Sequence, residues 1–300
     1  MHLHAWQEPS IDREFRDALE HAFRRYHLER GVISGPATAA RAAVALDPAV
    51  LIGGAADGAG SLLPPVPELR ADFQAGRLAV LGEIDAAWDG EPLTTARLKA
   101  YWTLADSIGM PVALFTGVAP PGTQKAFPHY RVELGRPGQI EPILAAYPRL
   151  RVNLMQAGWP YREETIALMH EHQEVYADLG NLIGNPTIPR EEFYHYLRAL
   201  IRAGLGDRIM FGSGLTLEEW PAQIGKLVAV IQEAPFLTAE ERDKIFFHNA
   251  ARFLRLDPAT RTPRRPRPRR LSHVPEVRLQ RARRVDVSLL DALRLPHAHE

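Results

Sequence analysis

No cysteine occurs anywhere in the chain, which removes disulfides, thiolate zinc sites and a cysteine nucleophile from consideration. No stretch reaches the roughly 18 consecutive apolar residues of a membrane span. The opening Met-His-Leu-His-Ala-Trp-Gln-Glu has neither a basic region nor an apolar core, so no secretory signal is expected and the cytoplasm is the default compartment. Glycine-rich phosphate loops of the dinucleotide or Walker type are missing, which argues against a nucleotide-binding protein. A serine nucleophile elbow is missing too, which argues against a serine hydrolase. Lysine is scarce, four residues against 32 arginines. The zero net charge hides an asymmetry: residues 261–300 carry eleven arginines and four acids, leaving the body mildly acidic.

What is present is a regular alternation. Short apolar runs at 31–35, 50–56, 78–84, 111–117, 151–158, 175–180 and 208–214 each end in glycine or a polar residue, and helical patterning follows each of them. With residues 1–4 they make eight strand candidates. Helices are expected at 11–29, 36–46, 68–74, 94–108, 140–146, 163–171, 190–203, from about 217 to 233, and at 239–254, the last capped by Thr238. Nothing resembles a hairpin turn between strands. The pattern calls for a parallel sheet with crossover helices, and eight repeats favour closure into an α/β (β/α)8 TIM barrel over a doubly wound open sheet. The barrel is assigned to residues 1–256. The Arg/Pro-rich tail, 257–300, is expected to be disordered or peripheral, since it cannot bury apolar area in proportion to its length. Its run Arg264-Arg265-Pro266-Arg267-Pro268-Arg269-Arg270 lacks interleaved aromatics, so nucleic acid is not the expected partner.

Chemistry in such a barrel sits at the C-terminal ends of strands. That directs attention to His2, His4, Ser34, Glu83, Phe115, Gln156, Asp178 and Gly214. Residues two apart on a strand share a face, so His2 and His4 can share one divalent metal, whose bound water loses a proton near neutral pH. The alternative is a pair of solvated histidines at a chain end. Asp178 is either a replacement ligand or a polar residue of the mouth. Arg131 is either a clamp for a substrate carboxylate or a surface arginine. Trp6, Trp159 and Tyr161 are either pocket walls or rim packing.

Taken together, His2-Leu3-His4-Ala5-Trp6, Leu81-Gly82-Glu83-Ile84, Thr116-Gly117 with Pro120-Pro121-Gly122, Met155-Gln156-Ala157-Gly158-Trp159-Pro160-Tyr161, Val175-Tyr176-Ala177-Asp178, Ile209-Met210-Phe211-Gly212-Ser213 and Asn249-Ala250-Ala251-Arg252-Phe253-Leu254 occur in a telling order. In that order and spacing the chain resembles the amidohydrolase superfamily, in its amidohydrolase-related branch that also contains decarboxylases. The resemblance implies a barrel with a metal centre, usually zinc, that hydrolyses a C–N or C–O bond through metal-bound water or decarboxylates a carboxylate. It also implies His2, His4 and Glu83 as metal ligands.

Three positions depart from the family pattern. Phe115 stands where the fifth strand should end in His, Gln156 where the sixth should carry His, and Gly214 where the eighth should carry Asp. Phe offers no lone pair, Gln156 can still hydrogen-bond a substrate oxygen as a pocket residue but is a poor zinc ligand, and Gly removes the carboxylate that would accept a proton from water. Together these read as loss of the hydrolytic centre. The expectation therefore divides between a metal-dependent hydrolase of small molecules and a non-catalytic barrel that binds a ligand or partner, with self-association left open. Only Met1 precedes the His pair, where relatives have several residues, so the first strand is expected to be stunted or the start to be late. Gly214→Asp presents itself as the sharpest probe of the site.

Overall fold

A computed structural model describes residues 2–5, 13–45, 51–57 and 62–256. Trp6, the expected helix start near residue 11 and the tail at 257–300 lie outside the described residues. The strands are β1 (His2–His4), β2 (Gly31–Gly35), β3 (Leu51–Asp57), β4 (Leu78–Ile84), β5 (Val112–Phe115), β6 (Val152–Met155), β7 (Val175–Asp178), β8 (Ile209–Met210) and β9 (Leu215–Thr216). The helices are α1 (Arg13–Arg25), α2 (Ala37–Val44), α3 (Val66–Gln74), α4 (Ala96–Ile108), α5 (Glu141–Ala146), α6 (Arg162–Glu171), α7 (Arg190–Arg202), α8 (Trp220–Gln232), α9 (Ala239–Asp243) and α10 (Asn249–Phe253).

Neighbouring strands all pair in parallel, in the order β8-β7-β6-β5-β4-β3-β2-β1-β9. The first and last members of that order are the two halves of one stretch, residues 209–216, so the sheet returns to its own eighth strand. This is the (β/α)8 TIM barrel that the alternation predicted, with a first strand of three residues. The eighth strand differs from its expected form. It is broken at 211–214, because the Phe211 N–H leaves the sheet for the Ile245 carbonyl at 2.8 Å and Gly214 turns left-handed at φ +65°.

Backbone and hydroxyl donors repair the break. Ser213 N and Gly214 N both donate to the His2 carbonyl, at 3.2 and 3.3 Å, and Leu217 N donates to the His4 carbonyl at 2.8 Å. The Ser213 hydroxyl, itself buried, donates to the same His2 oxygen at 2.6 Å. On the other side Leu179 N donates to the Met210 carbonyl at 3.1 Å. These bonds fix β1, and with it both histidines, against the last strand.

Alternation along the strands makes two apolar layers. Outward residues such as Leu3, Ile33, Leu81, Leu154 and Ile209 are fully buried under the helices, and burial of each such side chain contributes about 1.5–3 kcal/mol. α7 meets them with Phe193, Tyr196, Leu197 and Leu200, one face at helical spacing. α8 brings Trp220, whose ring lies 4.9 Å from that of Phe23 on α1. The inward layer is narrower and includes Val80, Ala113 and Met155. α10 plugs it from below: Phe253 stacks near Tyr176 with centroids 5.3 Å apart. The buried Arg151 guanidinium donates to the Phe253 carbonyl and, at 2.7 Å, to that of Gly109. The closing helix expected at 239–254 is three pieces, α9, a π turn at Lys244–His248 and α10. Thr238 caps it as expected, in a reciprocal box with Glu241. Among the described residues no helix is long and apolar enough to cross a membrane.

Removing the seam hydroxyl tests this account of closure. Ser213→Ala should lower unfolding free energy by about 1 kcal/mol, the net worth of one buried hydrogen bond whose acceptor keeps other donors. Urea denaturation followed by circular dichroism measures it, and an unchanged midpoint would remove the hydroxyl from the closure.

Candidate metal centre

β1 places His2 and His4 on one face because they are two residues apart. Their rings meet edge to face with centroids 4.5 Å apart, and both residues are buried. Across the barrel β4 delivers Glu83, also buried. Its Oε2 lies 3.5 Å from His4 Nδ1 and 3.9 Å from His2 Nε2. One ligand atom from each of the three residues lies within 4.8 Å of the others.

The donors suit a divalent cation. Both ring nitrogens of His2 are buried without a hydrogen bond, and such orphaned groups cost about 1–3 kcal/mol each. A cation between the three groups would relieve that cost at Nε2, while Nδ1 faces away toward Asp178. Two imidazoles and one carboxylate are the donor types preferred by zinc and manganese, with room for a further ligand. The residues present fit the group.

β7 ends in a second carboxylate. Asp178 Oδ2 stands 3.5 Å from His2 Nδ1 and accepts from Asn153 Nδ2 at 2.6 Å. Its Oδ1 accepts from Gly180 N at 2.7 Å. Burial pushes the Asp178 carboxyl upward, but the facing His2 and the donors from Asn153 and Gly180 outweigh it and hold the group below the usual carboxylate range. Glu83 goes the other way: burial, with the charges of Asp85 and Asp178 behind it, raises its carboxyl well above the ordinary value. Asp85 is raised as well, by its own burial first, against a hydrogen bond with Glu83. Burial, reinforced by His2, lowers the His4 imidazole well below its ordinary value. At neutral pH His4 is therefore an uncharged ring and Asp178 an anion, while burial makes Glu83 and Asp85 harder to ionise than ordinary carboxyl groups. A cation held here would favour the ionised form of Glu83. Asp57, at the end of β3, takes no part, since Arg97 clamps both its oxygens at 2.9 and 2.8 Å.

The three substituted positions have distinct fates. Phe115 is buried in an apolar cluster with Ala87 and Tyr130, its ring 5.7 Å from that of Trp88. Gln156 does not end a strand. β6 stops at Met155, and Gln156 opens a tight turn at φ +62°; the polar residue that β6 points inward is Asn153. Alternation counted back from Met155 would have found it. Gly214 lies between the two halves of the eighth strand. A Cβ there would come within 2.3 Å of Asn181 Oδ1 and 2.6 Å of Asn181 N.

Other expected pocket residues lie further out. Arg131 is exposed, and its guanidinium donates to the carbonyls of Pro128 and Tyr130, both at 2.9 Å. Trp159 packs on the main core from the loop after β6. Tyr161 is covered by the Arg136 guanidinium at 4.9 Å. Beneath the centre a cavity of about 40 Å³ runs along the barrel axis, bounded by His2, Ser34, Asn153 and Asp178 among apolar neighbours.

Gly214→Asp is thus not a simple restoration. The new side chain meets Asn181 backbone, and its left-handed φ adds strain of about 1–3 kcal/mol. The variant should unfold at lower urea concentration and gain no metal affinity. An unshifted midpoint with tighter zinc binding would contradict this.

Comparisons with known proteins agree with the fold. A probable 2-pyrone-4,6-dicarboxylic acid hydrolase from Acinetobacter baumannii, with citric acid bound, superposes with a TM-score of 0.61 at 14% identity, covering 84% of this chain and 97% of that one. An amidohydrolase from Burkholderia multivorans with bound zinc gives 0.60 at 15% identity, covering 85% and 98%. A dihydroxybenzoic acid decarboxylase from Polaromonas sp. JS666, with manganese and the inhibitor 2-nitroresorcinol, gives 0.54 at 15% identity, covering 80% and 86%. No curated protein matches the chain. The amidohydrolase family profile matches residues 2–256, the full span of the barrel and its mouth, and the chain belongs to that family.

Proposed function

We propose that this protein is a metal-dependent amidohydrolase-type enzyme with a mononuclear centre held by His2, His4 and Glu83. The observation that carries the reading is the convergence of these three buried groups within 4.8 Å. Zinc is the first candidate and manganese the second; both occur in the solved relatives named above. A divalent ion bound here would supply a Lewis acid and lower the pKa of a water to about 7.

The chain's own groups then do the following. His4 binds as an uncharged ring, as its lowered pKa requires, and Glu83 contributes the compensating charge. Burial of all three keeps bulk water away and strengthens each electrostatic contact. Asp85, buried with Oδ1 lacking a hydrogen-bond partner, is a second carboxyl group beside Glu83, and burial raises it as well. The substrate is a small molecule with a carbonyl in a C–N or C–O bond, or a carboxylate to be lost as CO2. Hydrolase and decarboxylase relatives support that choice.

A second reading has its own support. Phe115 sits in an apolar cluster and the space beside Gly214 belongs to Asn181, so two family positions lack any group able to bind or accept. That arrangement suits a barrel that binds a ligand without transforming it. Metal analysis of the purified protein by inductively coupled plasma mass spectrometry tests the first reading. Near-stoichiometric zinc or manganese is expected, lost in His2→Ala/His4→Ala. Protein that stays metal-free after zinc addition would overturn it.

A further inference from the structure

We propose that Asp178 is a positioning residue for the centre, accepting the Nδ1 proton of His2 and so fixing the tautomer whose Nε2 lone pair faces Glu83 and His4. This rests on the metal-centre reading above. The two nitrogens of an imidazole diverge, and in the neutral ring only one carries a proton. For His2 the Nδ1 side faces Asp178 Oδ2 at 3.5 Å and the Nε2 side faces Glu83 Oε2 at 3.9 Å. Neither nitrogen has another partner. Which nitrogen is protonated is therefore decided between these two carboxyl groups.

Asp178 is built to accept from the ring. Gly180 N holds its Oδ1 and Asn153 Nδ2 holds its Oδ2, at 2.7 and 2.6 Å. Both bonds run from donor to carboxylate, so the group is anchored as an acceptor and its remaining lone pair on Oδ2 lies toward the ring. A carboxylate tied at each oxygen to the protein is poorly free to swing onto an ion, and well suited to orient a ligand.

Two glycines bear this out independently. A Cβ on Gly212 would lie 2.6 Å from Asp178 Oδ1, and one on Gly180 would lie 2.8 Å from Asp178 Oδ1 and 3.0 Å from His2 Nδ1. Neither glycine has a left-handed φ, so what these positions require is space. That space is the niche in which Asp178 and His2 meet. Partners that orient a metal-binding histidine in this way typically contribute about 10–100-fold to metal affinity.

Long-range proton–nitrogen correlation on the full-length, metal-free protein with 15N-labelled histidine reads the tautomer directly, with His2 assigned by loss of its signals in His2→Ala. In its uncharged form His2 should carry its proton on Nδ1, leaving Nε2 bare. Asp178→Ala should shift it toward the Nε2-protonated form and weaken zinc binding, measured by chelator competition, by about 10–100-fold. Asp178→Asn keeps one acceptor oxygen where Gly180 N, Asn153 Nδ2 and His2 Nδ1 all need one, and should restore the tautomer and the affinity only in part. A wild-type His2 protonated on Nε2 would overturn the proposal, and so would an Asp178→Ala protein that loses zinc with its tautomer unchanged. If Asp178→Ala does not fold, the wild-type spectrum decides alone. An Nδ1-protonated His2 in a protein that binds no zinc would sustain this inference and overturn the metal-centre reading instead.

Discussion

Three donors of the eighth strand, Ser213 N, Ser213 Oγ and Gly214 N, converge on the carbonyl oxygen of His2, and the place of every group at the barrel mouth follows from that knot. A first strand of three residues has little pairing of its own to set its register. The bonds from 213, 214 and 217 supply what the short strand lacks. They hold the His2 and His4 side chains opposite Glu83 on one flank and Asp178 on the other. The break in strand eight is thus part of how the site is assembled, since a regular strand would direct the Ser213 side chain elsewhere.

Burial does the electrostatic sorting. Four carboxyl groups, from Asp57, Glu83, Asp85 and Asp178, come to the ends of three strands, a crowding that like charges resist. Each is handled differently. Arg97 pairs with both oxygens of Asp57, donors and a facing imidazole hold Asp178 below the usual carboxylate range, and burial raises Glu83 and Asp85 above it. The outcome is that Asp178 and Glu83 are shifted in opposite directions, the arrangement that acid–base sites exploit. The buried carboxylate behind His2 favours entry of a cation, whereas the raised pKa of Glu83 makes that entry compete with protons.

Much of this was legible in the sequence. The strands at 31–35 and 78–84 appear with the bounds expected of them, because apolar runs between glycine, arginine and polar breakers leave little choice of period. That His2 and His4 share a face followed from alternation, while their joint role as ligands came from the family resemblance. Other features depend on contacts between distant segments and leave no local mark. Asn181 fills the space beside Gly214 across the gap between strands seven and eight, so the missing aspartate looked like a vacancy to be refilled together with His at Phe115 and Gln156. Gln156 was placed at a strand end by its motif, whereas the left-handed turn after Met155 takes it out of the inward row and leaves Asn153 there. Asp178 meets His2 only because the barrel closes.

The central claim is that one cation is held between strands one and four by His2, His4 and Glu83. Crystals of the full chain soaked in zinc, with data collected on either side of the zinc absorption edge, test it most directly. The account predicts a single strong anomalous peak bonded to nitrogens of His2 and His4 and to a Glu83 oxygen, with Asp178 outside bonding distance behind His2. An anomalous map with no peak among those three side chains, or with its main peak bonded to Asp178 and not to Glu83, would contradict it.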